Sequence, residues 1–339
     1  MILVTGGTGL LGGHLLFDLI KNGESVRAIK RNSSDISITK KIFSYYSTDY
    51  ENLFSKIEWK NADILDVDSL YEAFEGVDLV YHCAAFVSFD HRDKKEVIKN
   101  NIDGTVNIVN VCLTKKIKKL CHVSSVAALG DDPFMSPKNP VNENTIRDQT
   151  VKHTSYSISK YKSELEVWRG INEGLNAVIV NPSVILGPGN WKNGSSLIFY
   201  KAWKGLIFYT SGINGFVDVR DTSEIMIKLM KSDISAERFC VNAENIRFKE
   251  FFDILSDNFG KKRPYIYVGR FLSGLVWRME LLRCLISGSK PIITKDAASA
   301  AVTKVYYSSE KTEKTLNFVF RPVREIVKDY AKFFLQDFK

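Results

Sequence analysis

Met1-Ile2-Leu3-Val4-Thr5-Gly6-Gly7-Thr8-Gly9-Leu10-Leu11-Gly12-Gly13 opens the chain. A short apolar run, Ile2 to Val4, meets glycines at 6, 9 and 12, and His14 to Ile20 continues with a helical pattern. The order is strand, glycine turn, helix. Glycine is needed where a chain turns sharply, where backbone must approach a pyrophosphate, and where helix packs close to strand. A helix opening at about Thr8 would aim unpaired N–H groups and its positive dipole end at phosphate. A lone glycine triplet says little. Set between a strand pattern and a helix pattern it predicts a dinucleotide site, with Thr5, Gly6, Thr8, Gly9, Leu10, Leu11 and Gly12 around the phosphates.

Working outward, strand and helix patterns alternate. Residues 25–30, 57–61, 78–83, 120–124 and 177–181 read as strands, the last nearly all apolar, as a strand covered on both faces should be. Helical patterns fall at 67–74, capped by Asp66 or Asp68, at 97–116 and at 156–169. Repeated strand–helix–strand units predict an α/β fold, a Rossmann-type doubly wound parallel sheet. After Pro182 the alternation breaks down, with helix-like stretches at 221–231, 248–258, 270–287 and 322–336. The expected division is a dinucleotide-binding domain over 1–182 and a smaller C-terminal substrate lobe over 183–339, partly interleaved with the last sheet strands.

Composition narrows the class. The 339 residues are 45% hydrophobic and 25% charged, ordinary for a globular protein. The five cysteines (83, 112, 121, 240, 284) lack metal-type spacing and read as reduced thiols, so no metal site is expected. A net charge of +8 and a pI near 9.0 invite a nucleic-acid reading, but the cations are dispersed, and none is expected. The glycine turn interrupts any signal peptide, which fits a cytoplasmic enzyme. Residues 271–286 fall short of the ~20 apolar residues needed to span a bilayer and carry Arg278, Glu280 and Arg283, so stable membrane insertion is not expected.

Tyr156-Ser157-Ile158-Ser159-Lys160 carries the chemistry. Four-residue spacing on a helix puts Tyr156 and Lys160 on one face. Tyrosine near its ordinary value of about 10 is a poor acid at neutral pH, and a lysine cation beside it favours the phenolate. Ser124-Ser125 ends the fifth predicted strand, where ligands of such sheets bind.

With its Thr-Gly-x-x-Gly-x-x-Gly start, this set resembles the extended short-chain dehydrogenase/reductase superfamily, the NAD-dependent epimerase/dehydratase family. Its Ser/Tyr/Lys set maps onto Ser125, with Ser124 in reserve, Tyr156 and Lys160, because Gly130 stands five residues beyond Ser125 as in extended members. The family's asparagine maps onto Asn101 in Asn101-Ile102-Asp103-Gly104-Thr105. The resemblance further implies cofactor contacts from Asp63 and Ile64 to adenine, from Cys83, Ala84 and Ala85 beside phosphate and ribose, and from Pro182, Ser183 and Val184 at the nicotinamide amide. It covers residues 1 to about 225 closely and the rest loosely.

The end of the second strand selects the cofactor. An acid there would bind the ribose hydroxyls of NAD, whereas a 2′-phosphate needs a cation. This chain has Lys30 and Arg31 and no acid before Asp35. Arg31 aligns with the arginine of NADP-dependent dihydroflavonol-4-reductase-like members, so NADP(H) is expected, with NAD as the alternative. Val126 and Ala127 replace the acid pair of the family's dehydratases, and Asn181 stands where an arginine often precedes the sixth-strand proline. Both departures favour reduction of a ketone or aldehyde over nucleotide-sugar epimerisation or dehydration. A 3β-hydroxysteroid-dehydrogenase-like activity and a non-catalytic NADP-bound regulator are the remaining alternatives. Phe86, Phe89, Phe134, Met135 and Trp191 suggest an apolar substrate, with Asp90, His91 and Arg92 as polar contacts. The 97–116 and 156–169 helices match the pair through which many relatives form homodimers.

Overall fold

The computed structural model describes every residue except 89, 131–133, 149, 288–293 and 339. Its first half runs β1 (Ile2–Thr5), α1 (Leu10–Lys21), β2 (Val26–Lys30), α2 (Ser37–Tyr46), α3 (Tyr50–Ser55), β3 (Glu58–Asn61), α4 (Val67–Ala73) and β4 (Leu79–His82). It continues with α5 (Lys94–Thr114), β5 (Lys119–Val123), α6 (Ser155–Asn172) and β6 (Ala177–Pro182). Then follow β7 (Val184–Leu186), α7 (Leu197–Lys204), β8 (Phe208–Tyr209), β9 (Ile213–Asp218), α8 (Val219–Lys231), β10 (Glu237–Val241), β11 (Glu244–Arg247) and α9 (Phe248–Asn258). β12 (Ile266–Tyr267), α10 (Arg270–Ser287), α11 (Lys295–Ala300), α12 (Glu310–Leu316) and α13 (Val323–Asp337) complete the order.

The main sheet is seven-stranded, ordered β10-β6-β5-β4-β1-β2-β3, and every pairing in it is parallel. From β1 the chain winds one way through β2 and β3, then crosses to β4 and winds the other way. The reversal leaves a crevice at the carboxyl ends of β1 and β4, where ligands bind in such sheets. Both faces are covered. Leu15, Phe17 and Met226 of α1 and α8 pack on one side; Leu70, Ile108 and Val167 of α4, α5 and α6 pack on the other. That is why β5 and β6 are buried at every position.

Smaller sheets, β11-β9-β7 and β12-β8, belong to the C-terminal half. Asp66 rather than Asp68 caps α4, accepting from the Ser69 N–H. α8 begins at Val219, two residues before the expected start, because the Asp218 carboxylate accepts from the Arg220 N–H at 3.0 Å and caps it there. Trp191 is not a pocket wall: it is buried against Phe199 and Phe334, and its indole N–H donates to Asp337 at 2.8 Å. Of the cysteines, 112, 121 and 240 are buried and 83 and 284 partly so, all unbridged.

Candidate active site

The glycine turn at the crevice is shaped by close approach. Gly6 has φ +69°, and a Cβ there would stand 2.6 Å from the Ala84 nitrogen. A Cβ on Gly12 would stand 2.2 Å from the Gly6 carbonyl oxygen. Gly9 is the N-cap of α1 and offers no side chain, and the first turn of the helix carries no acid. The helix end is therefore free of any carboxylate of its own, a cradle that fits a diphosphate. The Leu11 side chain is turned into the core, leaving only its backbone for a ligand. Leu10 lies beside Gly187 and Gly189. From α2, a helix without a clear sequence pattern, the Thr39 hydroxyl donates to the Gly7 carbonyl at 2.9 Å and pins the turn.

Under the cradle a buried chain of hydrogen bonds joins three elements. The Ala84 N–H donates to Thr5 Oγ1 at 3.1 Å, and Thr5 Oγ1 meets His82 Nδ1 at 2.7 Å. His82 Nε2 meets Thr105 Oγ1 at 3.2 Å, and the Thr105 hydroxyl donates to the Asn101 carbonyl at 2.7 Å. Because Thr105 spends its proton on Asn101, His82 must carry its own on Nε2 and accept from Thr5 on Nδ1. Burial pushes the His82 imidazole down to about 3, so it stays neutral.

At the end of β2 the Arg31 side chain is exposed and has no ion pair among the described residues. Lys30 Nζ donates to Asn61 Oδ1 at 3.0 Å. Asp35 is turned back onto Ser37, accepting from its N–H and its hydroxyl at 2.8 Å each. Asp63 accepts from the Leu65 N–H at 3.0 Å. The Ile64 side chain fills the space above Gly104, where a Cβ would lie 2.4 Å from its Cδ1. Cys83 and Ala84 are partly buried beside the cradle and Ala85 is exposed. Burial pushes the Cys83 thiol up to about 12, which makes it a poor nucleophile. Across the crevice Pro182 and Ser183 are buried and Val184 partly so. The Ser183 hydroxyl has no partner among the described residues, which suits a loop that receives an amide.

Thr154 caps α6, accepting from the Ser157 N–H at 3.1 Å, and so fixes where Tyr156 and Lys160 emerge. Burial pushes the Tyr156 phenol above its ordinary value, and the neighbouring Ser125 side chain partly offsets it. Lys160 is buried, donates to the Val123 carbonyl at 2.7 Å, and is pushed down to about 8 by burial. The sequence reading had Lys160 lowering the tyrosine. In the structure the lowering contact is Ser125, and burial outweighs it.

Ser124 faces away from Tyr156. Its hydroxyl donates to Glu164 Oε2 at 2.7 Å, and the same oxygen accepts from Asn181 Nδ2 at 2.8 Å. Asn181 Nδ2 also donates to the Ser125 carbonyl at 3.0 Å, while Arg238 Nη1 donates to Glu164 Oε1 at 2.8 Å. A buried carboxylate thus holds both serines, one directly and one through Asn181. The sequence reading missed Glu164, although it follows Lys160 by four residues on the same face of α6. Asn101 is also buried. Its amide oxygen accepts from the Phe86 N–H at 2.7 Å, and its nitrogen donates to the Phe86 carbonyl and to Ser159 Oγ, each at 3.0 Å.

Of the suggested pocket residues, Phe134 is exposed, Phe86 is partly buried, and Met135 packs on Leu129 and Val141. Asp90 and Arg92 form an ion pair at 2.7 Å. Phe89 and the His91 side chain lie outside the described residues. A separate cleft of about 700 Å³ in the C-terminal half, lined by residues including Tyr209, Arg247 and Lys304, shares none of these groups.

Sheet order and glycine cradle are those of an NAD(P)-dependent enzyme of the extended short-chain dehydrogenase/reductase type. The model of the NAD dependent epimerase/dehydratase family matches residues 2–241, and the chain belongs to that family. Among curated relatives, Sterol demethylase protein B of Methylococcus capsulatus is 29% identical over 80% of this chain and 79% of its own. A putative dihydroflavonol 4-reductase of Synechocystis is 26% identical over 98% of this chain and 93% of its own. The crystal structure of gox2253 superposes with a TM-score of 0.82 at 28% identity, covering 99% of this chain and 98% of that one. UDP-glucose 4-epimerase of Thermotoga maritima shares the fold at a TM-score of 0.75 and 19% identity, over 100% of this chain and 99% of that one.

Proposed function

We propose that the protein is an NADPH-dependent reductase of a ketone or aldehyde carbonyl on a small, apolar substrate. The nearness of the Ser125 and Tyr156 side chains carries this reading, because two neighbouring hydroxyls can each give a carbonyl oxygen one bond. Arg31, exposed at the end of β2 and without an ion pair among the described residues, supports the choice of NADPH, since a guanidinium matches a 2′-phosphate. The similarity to a putative dihydroflavonol 4-reductase agrees with it.

NADPH, when bound, supplies a hydride to the carbonyl carbon. Ser125 and Tyr156 hold the carbonyl oxygen, and as negative charge builds there the Tyr156 O–H gives up its proton as general acid. Lys160 would offer its ammonium to a ribose hydroxyl. Asn101 acts as a positioning residue, holding the chain at Phe86 against α6. The cradle residues Gly6, Gly9 and Gly12 would take the diphosphate. A homodimer through α5 and α6 belongs to the same reading, and mass by light scattering decides it. The function is tested by following NADPH consumption by purified protein against aldehydes, ketones and sugar nucleotides. Turnover confined to carbonyl substrates is expected; turnover of a sugar nucleotide without net NADPH use would overturn the assignment.

A further inference from the structure

Exposed large hydrophobic side chains concentrate on one stretch of the surface. Tyr265 and Tyr267 at β12 are open to solvent, and Phe271, Leu275 and Met279 continue the exposure along α10. Phe271 is 88% exposed, Tyr265 68% and Met279 63%. Positions 271, 275 and 279 recur every four residues and so share one stripe of the helix. Only Val268 and Gly269 separate β12 from α10, and Gly269 lies against the Tyr267 ring, so the end of β12 and the start of α10 are neighbours. Contiguous apolar exposure of this kind marks a contact surface.

Charge identifies what it contacts. Residues 261–283 hold six cations and a single acid, Glu280. Glu280 is already paired with Arg283 at 2.8 Å, and Arg263 is paired with Asp257 at 2.7 Å. Lys261, Lys262 and Arg270 are exposed, with no ion pair among the described residues. A second copy docking here about a two-fold axis would set these cations against themselves, which like-charge repulsion opposes. Anionic headgroups would instead attract them, while aromatic and aliphatic side chains settle at the boundary between headgroups and acyl chains. No helix among the described residues is long and apolar enough to cross a membrane.

We propose that β12 and α10 form a docking surface for anionic lipid membranes, on which the protein rests at headgroup depth. The test is sedimentation of the full chain with vesicles of phosphatidylcholine alone or mixed with phosphatidylserine. Stronger binding to the mixed vesicles is expected, weakening as salt is raised. F271E/M279E should lower the partition coefficient by at least about tenfold, and K261E/K262E/R270E should abolish the preference for phosphatidylserine. Circular dichroism and NADPH binding should be unchanged in both. Because vesicle binding is read without turnover, its failure would leave the reductase reading standing. No binding to the mixed vesicles, equal binding by both variants, or a dimer that F271E/M279E splits into monomers would each overturn the proposal.

Discussion

Burial acts in opposite senses on the two titratable residues of α6, raising the Tyr156 phenol and lowering the Lys160 ammonium to about 8. For Lys160 the unfolded value is the ordinary 10.5, so below pH 8 both states are charged and the folded state bears the full cost of burial. Between pH 8 and 10.5 the unfolded state holds more protons, and that cost is relieved as pH rises. Denaturant titrations should therefore show the parent gaining stability relative to Lys160→Met across this window, by roughly 3 kcal/mol in total. A difference that stays flat with pH would refute it. Tyr156→Phe keeps the ring but removes the proton, and should lower single-turnover reduction by about 10²–10⁴-fold while the NADPH Kd holds. Glu164 touches neither substrate nor cofactor in this scheme. Glu164→Ala strands the Ser124 hydroxyl, an Asn181 N–H and the Arg238 cation, and should destabilise by about 3 kcal/mol. kcat should fall with KM little changed, and Glu164→Gln, which keeps the shape and an acceptor oxygen, should recover part of it.

At the scale of elements, what the sequence made legible follows from pattern. β1, the glycine turn and α1 were readable because turn chemistry and periodicity agree over a few residues, and the same holds for β4, β5 and β6 with their apolar runs. α2 was not: its buried Thr39, Ile42 and Phe43 are set among partly buried residues and the exposed Ser37 and Lys41, and its meaning comes from the distant Gly7 carbonyl. The Glu164 network was hidden for a related reason, since a buried carboxylate looks like a surface one until Arg238 and Asn181 arrive from other strands. In the proposed reading the loop after β2 carries cofactor choice. Arg31→Ala should cut the preference for NADPH over NADH by at least about tenfold, because a charged pair of hydrogen bonds to the 2′-phosphate is lost. Titrating parent and variant with both cofactors checks this, and equal affinities in the parent would remove the ground for it.

Across the whole molecule the two halves share one interior. A single core cluster runs from Leu15 and Phe17 through Phe216 and Phe251 to Tyr330 and Phe334. At the far end of α13, Asp337 accepts hydrogen bonds from Tyr45 of α2 and from Trp191, and pairs with Lys41 at 2.7 Å. Such long-range closure has no local signature, which is why the helix at 322–336 was readable but its anchoring was not. β10 extends the same interdependence to the sheet, pairing with β6 although it lies beyond β7, β8, β9 and α8 in the chain. During synthesis everything through β6 leaves the ribosome before its outer neighbour has been made. For that interval a buried-type strand has an open edge, and nearby nascent chains can bind it in place of β10. A chain stopped at 182 should therefore form aggregates, read as turbidity, and adding a peptide of residues 237–241 should compete with them. Slowing translation between 183 and 241 should lengthen the vulnerable interval and lower the yield of folded protein.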